Sequence, residues 1–453
     1  MMLRLTESVA TRSELSVKPI EGFETYATAL GQDNELYTKY GLALSIAALP
    51  LYGVGTLLES VIEQDDLEAF QGPRLLYYDR TRVQSVIRAF VAALTNSWVT
   101  ALTFTIIASI LLHLGFSTRS AALAALSGGL LGTTPFYAKT FFSEPLAGLC
   151  LAGCAWCIVR FEGKDQKKLA YLAGLLLGLS ALTRVAHLIL FLPAAVALQS
   201  GLKDTRGTSR QRAMYAVVGA ILPIGILLLY NSARFGSVFE TGYGAEAAAF
   251  SGDPLDGLAG LIASPGRGIL WYVPWVIPAM FGLPLLWRQH RRVTVFIGGS
   301  FVTLLALYSP WHMWEGGWCL GPRFLVPIIP LLIIPAAIFC KAFWGHNWFR
   351  GVCFLVIAFG LAFVTQAIRI NYLDFHYAAY SLEADIQQTV RWSFDWAPII
   401  AYWGWPESNF LLLPRILVGQ GGPWLQGVAV AIVLGLTSTT YRMMRILSTA
   451  PSP

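Results

Sequence analysis

Charge is scarce in this chain: 13% of its 453 residues are Asp, Glu, Lys or Arg, about half the share of a soluble domain. With 55% hydrophobic residues and a mean hydropathy of +0.58, that scarcity excludes an ordinary soluble protein and predicts a polytopic membrane protein. A basic patch is also lacking. The 32 Lys and Arg lie dispersed in short clusters and the net charge is only +6, so nothing supports nucleic-acid binding. Residues 1–39 hold neither the basic-then-apolar pattern of a signal peptide nor a membrane span. Cysteines number six, three of them, Cys150, Cys154 and Cys157, spaced i, i+4, i+7 inside one apolar run. There they read as packing of a helix face, because a metal cluster would need polar partners around it. His312 likewise has no spaced partner to make it a metal ligand.

What is abundant is long apolar runs, recurring about every 25 to 35 residues with charges only between them, which is the pattern of helices of about 20 residues joined by short loops. Spans are expected near 86–114, 120–137, 145–160, 169–183, 186–200, 213–232, 268–287, 293–310, 323–340, 351–370 and 425–441, about eleven in all. The pair 169–183 and 186–200 forms a hairpin carrying Arg184 and His187 at its tip. Residues 41–58 are apolar but interrupted by Pro50, Gly53 and Gly55, and are expected to lie on the outer membrane surface rather than to cross. The expected organisation is an extracytoplasmic segment with interfacial helices over 1–85, a membrane domain over 86–370, an outer loop over 371–424, and a last span with a cytoplasmic tail over 425–453.

Basic residues fall in alternate loops: Arg119; Arg160 with Lys164, Lys167 and Lys168; Lys203 to Arg212; Arg288, Arg291 and Arg292; Lys341 and Arg350; Arg442 and Arg445. By the positive-inside rule these face the cytoplasm. The segment ahead of residue 86 then starts outside with nothing before it to carry it across, so either 41–58 spans or a further helix precedes Met1.

The opposite side holds the other polar residues worth naming. Glu144 stands in a polar hinge, Lys139-Thr140-Phe141-Phe142-Ser143-Glu144-Pro145, between two apolar runs, with Pro145 starting the next helix. A carboxylate at a membrane boundary is costly, which makes Glu144 a functional candidate, the alternative being a solvated loop acid. Lys39, Lys139, Arg184, Arg234, Glu240, Arg267, Glu315 and Arg323 share that face, and each could instead be an interfacial side chain reaching toward lipid phosphate. Together, cations of this kind suit a lipid-linked phosphate, and a carboxylate beside them suits a general base. The tryptophan-rich Trp311–Trp318 loop fits either a membrane anchor or a sugar-stacking surface.

Six short elements, in order, carry a family resemblance: Tyr37-Thr38-Lys39-Tyr40-Gly41; Phe142-Ser143-Glu144-Pro145; Leu182-Thr183-Arg184; Tyr230-Asn231 with Arg234-Phe235-Gly236-Ser237; Ser264-Pro265-Gly266-Arg267-Gly268; and Gly321-Pro322-Arg323-Phe324. From about Leu3 to Pro330 the chain resembles the integral-membrane glycosyltransferases of the GT-C class, the group that includes protein O-mannosyltransferases and aminoarabinose transferases. The resemblance implies an all-α polytopic bundle in which a sugar moves from a polyprenyl phosphate to a glycan, lipid or protein acceptor at the extracytoplasmic face of a bacterial plasma membrane. It implies Glu144 as the acid near the acceptor and Lys39 on the donor phosphate. Arg184 and Arg323 line the cavity, and Tyr40, Tyr230, Arg234, Glu240, Tyr243, Arg267 and Glu315 join the substrate-binding set.

In similar enzymes the principal catalytic acid follows the first transmembrane helix, a place ahead of Met1 here, so the expectation includes a chain without that helix and that acid. Some relatives hold a divalent metal with a carboxylate directly before the lysine. That position is Thr38, which leaves metal dependence open: a divalent metal stays an option, with no ligand and no cofactor assigned. The alternatives are a transporter or flippase, disfavoured because no internal repeat is visible, and a non-catalytic relative of the same fold.

Overall fold

The computed structural model describes residues 1–18, 27–61, 84–161, 166–199, 206–244, 250–370, 372–373, 375–376 and 390–404. The expected last span 425–441, the tail with Arg442 and Arg445, and most of the loop 371–424 lie outside these.

The N-terminal part opens with an amphipathic helix, α1 (Met2–Arg12), and a two-stranded antiparallel hairpin, β1 (Thr28–Leu30) and β2 (Leu36–Thr38). The hairpin is an addition to the all-helical expectation. Its turn is made by Asn34 in the left-handed region (φ 62) and by the Asp33 carboxylate accepting the Glu35 N–H at 3.1 Å. Then come α2 (Ala43–Ala47) and α3 (Leu49–Val61), with Pro50 in the first turn of α3, where its lost N–H costs nothing. At 13 residues α3 is about 20 Å long, short of the ~30 Å hydrocarbon core. It packs across the first turns of α4 (Gln84–His113) through Leu51 and Leu58 against Ile87 and Val91, and an Arg88–Glu59 ion pair ties the two.

From α4 onward the chain shuttles between two ends. The sequence continues as α5 (Thr118–Leu130), α6 (Thr134–Lys139), α7 (Glu144–Val159), α8 (Gln166–Thr183), a 3-10 turn (Val185–Leu190) running into α9 (Phe191–Gln199), and α10 (Arg206–Phe235). Next are α11 (Pro254–Ala263), α12 (Ile269–Tyr272), α13 (Val276–Gln289), α14 (Arg291–Tyr308), two 3-10 turns, α15 (Ile333–Phe343), α16 (Asn347–Arg369) and a short α17 (Pro398–Ala401). Among the described residues four helices are long and apolar enough to cross a bilayer: Ile87–His113, Ser209–Phe235, Arg291–Tyr308 and Asn347–Arg369.

Several expected spans are broken. The run 120–137 divides at Gly132, which takes φ 64 pressed against the Tyr272 carbonyl, and Pro135 opens the next helix. The run 268–287 divides at Pro274, and 323–340 becomes 3-10 turns before α15 because Pro322, Pro327 and Pro330 withhold donors there. Helix α11 stands inside what reads as loop.

Packing uses small residues. Gly174 of α8 faces the Ala216 backbone of α10, Gly178 faces Pro223, and Gly219 of α10 faces the Tyr171 carbonyl, so the two helices touch backbone to backbone. The buried cysteines Cys154 and Cys157 fill the central core along α7, and Cys150 is buried one turn earlier on the same helix.

Candidate functional site

The hinge ahead of α7 is held from two sides. Asn96, buried in α4, donates its amide to the Thr140 and Phe142 carbonyls at 2.6 and 2.7 Å, while Ser97 bonds the Ala138 carbonyl at 2.9 Å. Lys139 turns away and donates to the Ala367 and Ile368 carbonyls at 3.1 and 2.9 Å, capping α16 at its negative end. So fixed, the hinge delivers Glu144 to the first position of α7 with no exposed surface.

Two guanidiniums meet it there. Oε1 of Glu144 accepts from Nη1 of Arg184 and from Nε of Arg323, the latter at 2.6 Å, while the Ser143 hydroxyl lies 3.4 Å from Oε2. Arg184 reaches the carboxylate because the chain turns extended there after α8 (φ −146, ψ 111). Arg323 follows Pro322 into a 3-10 turn and also donates to the Gly316 carbonyl at 3.1 Å. Aromatic faces flank both: Arg323 sits 4.6 Å from the Phe142 ring centre and Arg184 5.4 Å from Phe324, which stacks on Tyr308 at 4.1 Å. One carboxylate against two guanidiniums leaves this buried cluster one positive charge in excess.

The N-terminal segment closes on the cluster. Gly41 lies against the Leu182 and Thr183 carbonyls, next to Arg184, so closely that a Cβ could not fit. The half-buried side chains of Lys39 and Tyr40 come with it. Tyr40 lies within electrostatic reach of Arg323, and Tyr243 within reach of Arg184, Arg323 and Tyr40. Glu144, Arg184, Arg323, Tyr40 and Tyr243 therefore form one neighbourhood, and Lys39 adjoins Tyr40 in the chain.

Other candidates are engaged elsewhere. Arg234 donates to the Tyr230 carbonyl (3.1 Å), the Thr38 carbonyl (2.5 Å) and Asn231 Oδ1 (2.9 Å), with the Tyr230 ring 3.6 Å from its guanidinium carbon. It clamps β2 to the end of α10 at Thr38, the residue before Lys39. Tyr230 is buried in the same clamp, and exposed Glu240 accepts the Gly242 N–H at 2.8 Å within its own turn. Arg267, 1% exposed, donates to the Cys319 and Gly317 carbonyls at 2.5 and 3.0 Å and contacts His376 Nε2 at 2.8 Å. Glu315 pairs with Arg391 at 2.7 Å. These last two pin the tryptophan-rich loop: Trp314 donates to Asp256 at 3.0 Å and Trp318 stacks near His376.

Sequence reasoning missed Asn96, although a Thr-Asn-Ser triplet inside an apolar run is a signal. It also missed Tyr308, and the stacking of Tyr308 on Phe324, a residue of the Gly321–Phe324 element, depends on a fold contact no spacing reveals. His187, read as a hairpin-tip residue, is buried and bonds Ser180 at 2.8 Å just behind Arg184. Among the described residues no three His, Cys, Asp or Glu side chains converge as a metal site.

No family model matches the chain, and no curated protein does. Among solved structures the chain is similar to ArnT from Cupriavidus metallidurans, crystallised bound to undecaprenyl phosphate. The likeness has a TM-score of 0.50 at 13% identity and covers 89% of this chain and 70% of that one. At that identity what is shared is the fold. The chain is an integral membrane protein with a helical, polytopic fold like that of this neighbour.

Proposed function

We propose that this membrane protein of GT-C-like fold transfers a sugar from a polyprenyl-phosphate donor to a glycan, lipid or protein acceptor at the extracytoplasmic face of a bacterial inner membrane. The observation that carries the reading is the buried Glu144 clamp, with its excess positive charge, at the end of the bundle where the Lys39–Tyr40 segment closes. A polyprenyl phosphate leaving group gains negative charge as its bond to the sugar breaks, and cations fixed in a poorly hydrated site stabilise that charge where it forms. Lys39 is assigned to the donor phosphate, with Arg184 and Arg323 supplying the potential behind it.

Glu144 has a divided role. Its Oε1 is occupied by two guanidiniums, so Oε2, beside the Ser143 hydroxyl, is the oxygen assigned to orient or deprotonate an acceptor hydroxyl, which must displace the packing that leaves Glu144 no exposed surface. Tyr40 and Tyr243 offer aromatic faces for a sugar ring. Arg234 is assigned to holding the lysine-bearing strand, and Arg267 and Glu315 to anchoring the outer loop.

The test uses the purified full chain and undecaprenyl phosphate. Binding is expected, and Lys39→Ala is expected to weaken it by about 1.5–3 kcal/mol, the worth of a charge-assisted hydrogen bond. Glu144→Gln is expected to keep donor binding while abolishing transfer wherever transfer is measurable. Unchanged affinity in Lys39→Ala, or no binding by the unmutated chain, overturns the assignment.

A further inference from the structure

Among the described residues, an unassigned cavity lies at the other end of the molecule. Helix α13 makes its tight contact with α15, where Gly282 sits on the Pro335 carbonyl, and α14 makes its own with α9, where Gly299 meets Pro193. With each helix committed to a different neighbour, α13 and α14 touch only lightly, and a groove of about 680 Å³ opens between them. Met280, Pro284 and Trp287 form one wall at helical spacing, and Val295 with Gly298 forms the other. Gly298 supplies width, since a Cβ there would meet nothing nearer than Leu283 at 3.9 Å.

Three features define an occupant. Apart from the floor residue Thr294 the walls are apolar, and Met280 and Trp287 are 59% and 44% exposed, so the groove faces the bilayer. From Met280 to Arg288 it runs about 12 Å, most of a half-bilayer core of about 15 Å. Its mouth is cationic: Arg288 lines it, and Arg291 stands 4.8 Å from the centre of the Trp287 ring. No Asp or Glu occurs between Asp256 and Glu315, so these two helices offer no carboxylate to receive the ammonium of a zwitterionic headgroup.

We infer that this groove seats one anionic phospholipid of the leaflet at the basic end, its acyl chain between α13 and α14 and its headgroup phosphate on Arg288 and Arg291. The site is separate from the Glu144 clamp and does not depend on the proposed transfer reaction. The two arginines add to the attraction for net negative headgroups, and phospholipids without net charge gain only the groove.

Native mass spectrometry of the detergent-purified full chain, incubated with equal amounts of phosphatidylglycerol and phosphatidylcholine, tests it. A single phosphatidylglycerol adduct is expected, favoured about thirtyfold as two surface arginines would supply. Arg288→Gln with Arg291→Gln is expected to abolish the preference while leaving a weak adduct of either lipid, and Gly298→Leu, which fills the groove, is expected to remove both. Equal retention of the two lipids, adducts unchanged in either variant, a dimer in place of the adduct, or an unmutated chain that holds no lipid while Gly298→Leu lowers its thermal stability would each overturn the inference. The last result would identify a protein segment as the occupant.

Discussion

At the scale of residues, the energetics of the site turn on one carboxylate serving two cations. An ion pair removed from water is a modest net stabiliser, but deleting one partner strands the others, at a cost of about 3–5 kcal/mol. Glu144→Gln leaves Arg184 and Arg323 facing each other inside the protein. Its thermal unfolding temperature is expected to fall well below that of the unmutated chain. Adding Arg184→Gln to Glu144→Gln is expected to restore part of the loss, and a strictly additive double variant would mean the pair is not coupled. That Glu144, Arg184 and Arg323 share one end of the molecule was legible in the sequence, because charges that interrupt apolar runs alternate with the side of the membrane. Which cations would find the carboxylate was not. Arg234 and Arg267 look equivalent to Arg184 in the sequence, yet backbone carbonyls of Thr38 and Cys319, brought near only by folding, take their guanidiniums.

Among the helices, apolar runs announced themselves, while their interruptions depended on where the chain must turn. Gly132 and Pro274 break expected spans because they pack on each other's neighbourhood across the bundle, a relation absent from local sequence. The α8–α10 seam was, by contrast, written in small residues: Gly174 and Gly178 lie four apart, and Gly219 answers them. Gly174→Leu is expected to separate these helices, lowering thermal stability and displacing Arg184 at the end of α8. Hydrogen exchange of the α8 and α10 amides should then speed up, whereas Gly53→Leu, which meets open space, should leave both unchanged.

For the molecule as a whole, the helices sort the charges into two ends. Lys341 bonds Gly115, Arg212 lies over Phe161, and Lys167 lies near Tyr215 at one end; the Glu144 clamp, the Lys139 cap and the Arg234 clamp occupy the other. A cysteine at exposed Glu35 is expected to react with a membrane-impermeant maleimide in intact cells, and one at exposed Arg210 only after lysis. The six native cysteines, buried or half-buried, give little background. The reverse pattern would put the clamp in the cytoplasm and remove the polyprenyl-phosphate reading with it.

The Glu144 clamp also has a history within each molecule's synthesis. Arg184 lies 40 residues after the carboxylate, Arg323 lies 179 after it, and the Ala367 carbonyl that receives Lys139 lies 228 after the lysine. At about 5–20 residues per second, Glu144 waits roughly 2–8 s for its first cation and roughly 9–36 s for its second. Until then the nascent chain holds an under-compensated acid beside the lipid, so the hinge can be buried for good only when α16 has arrived.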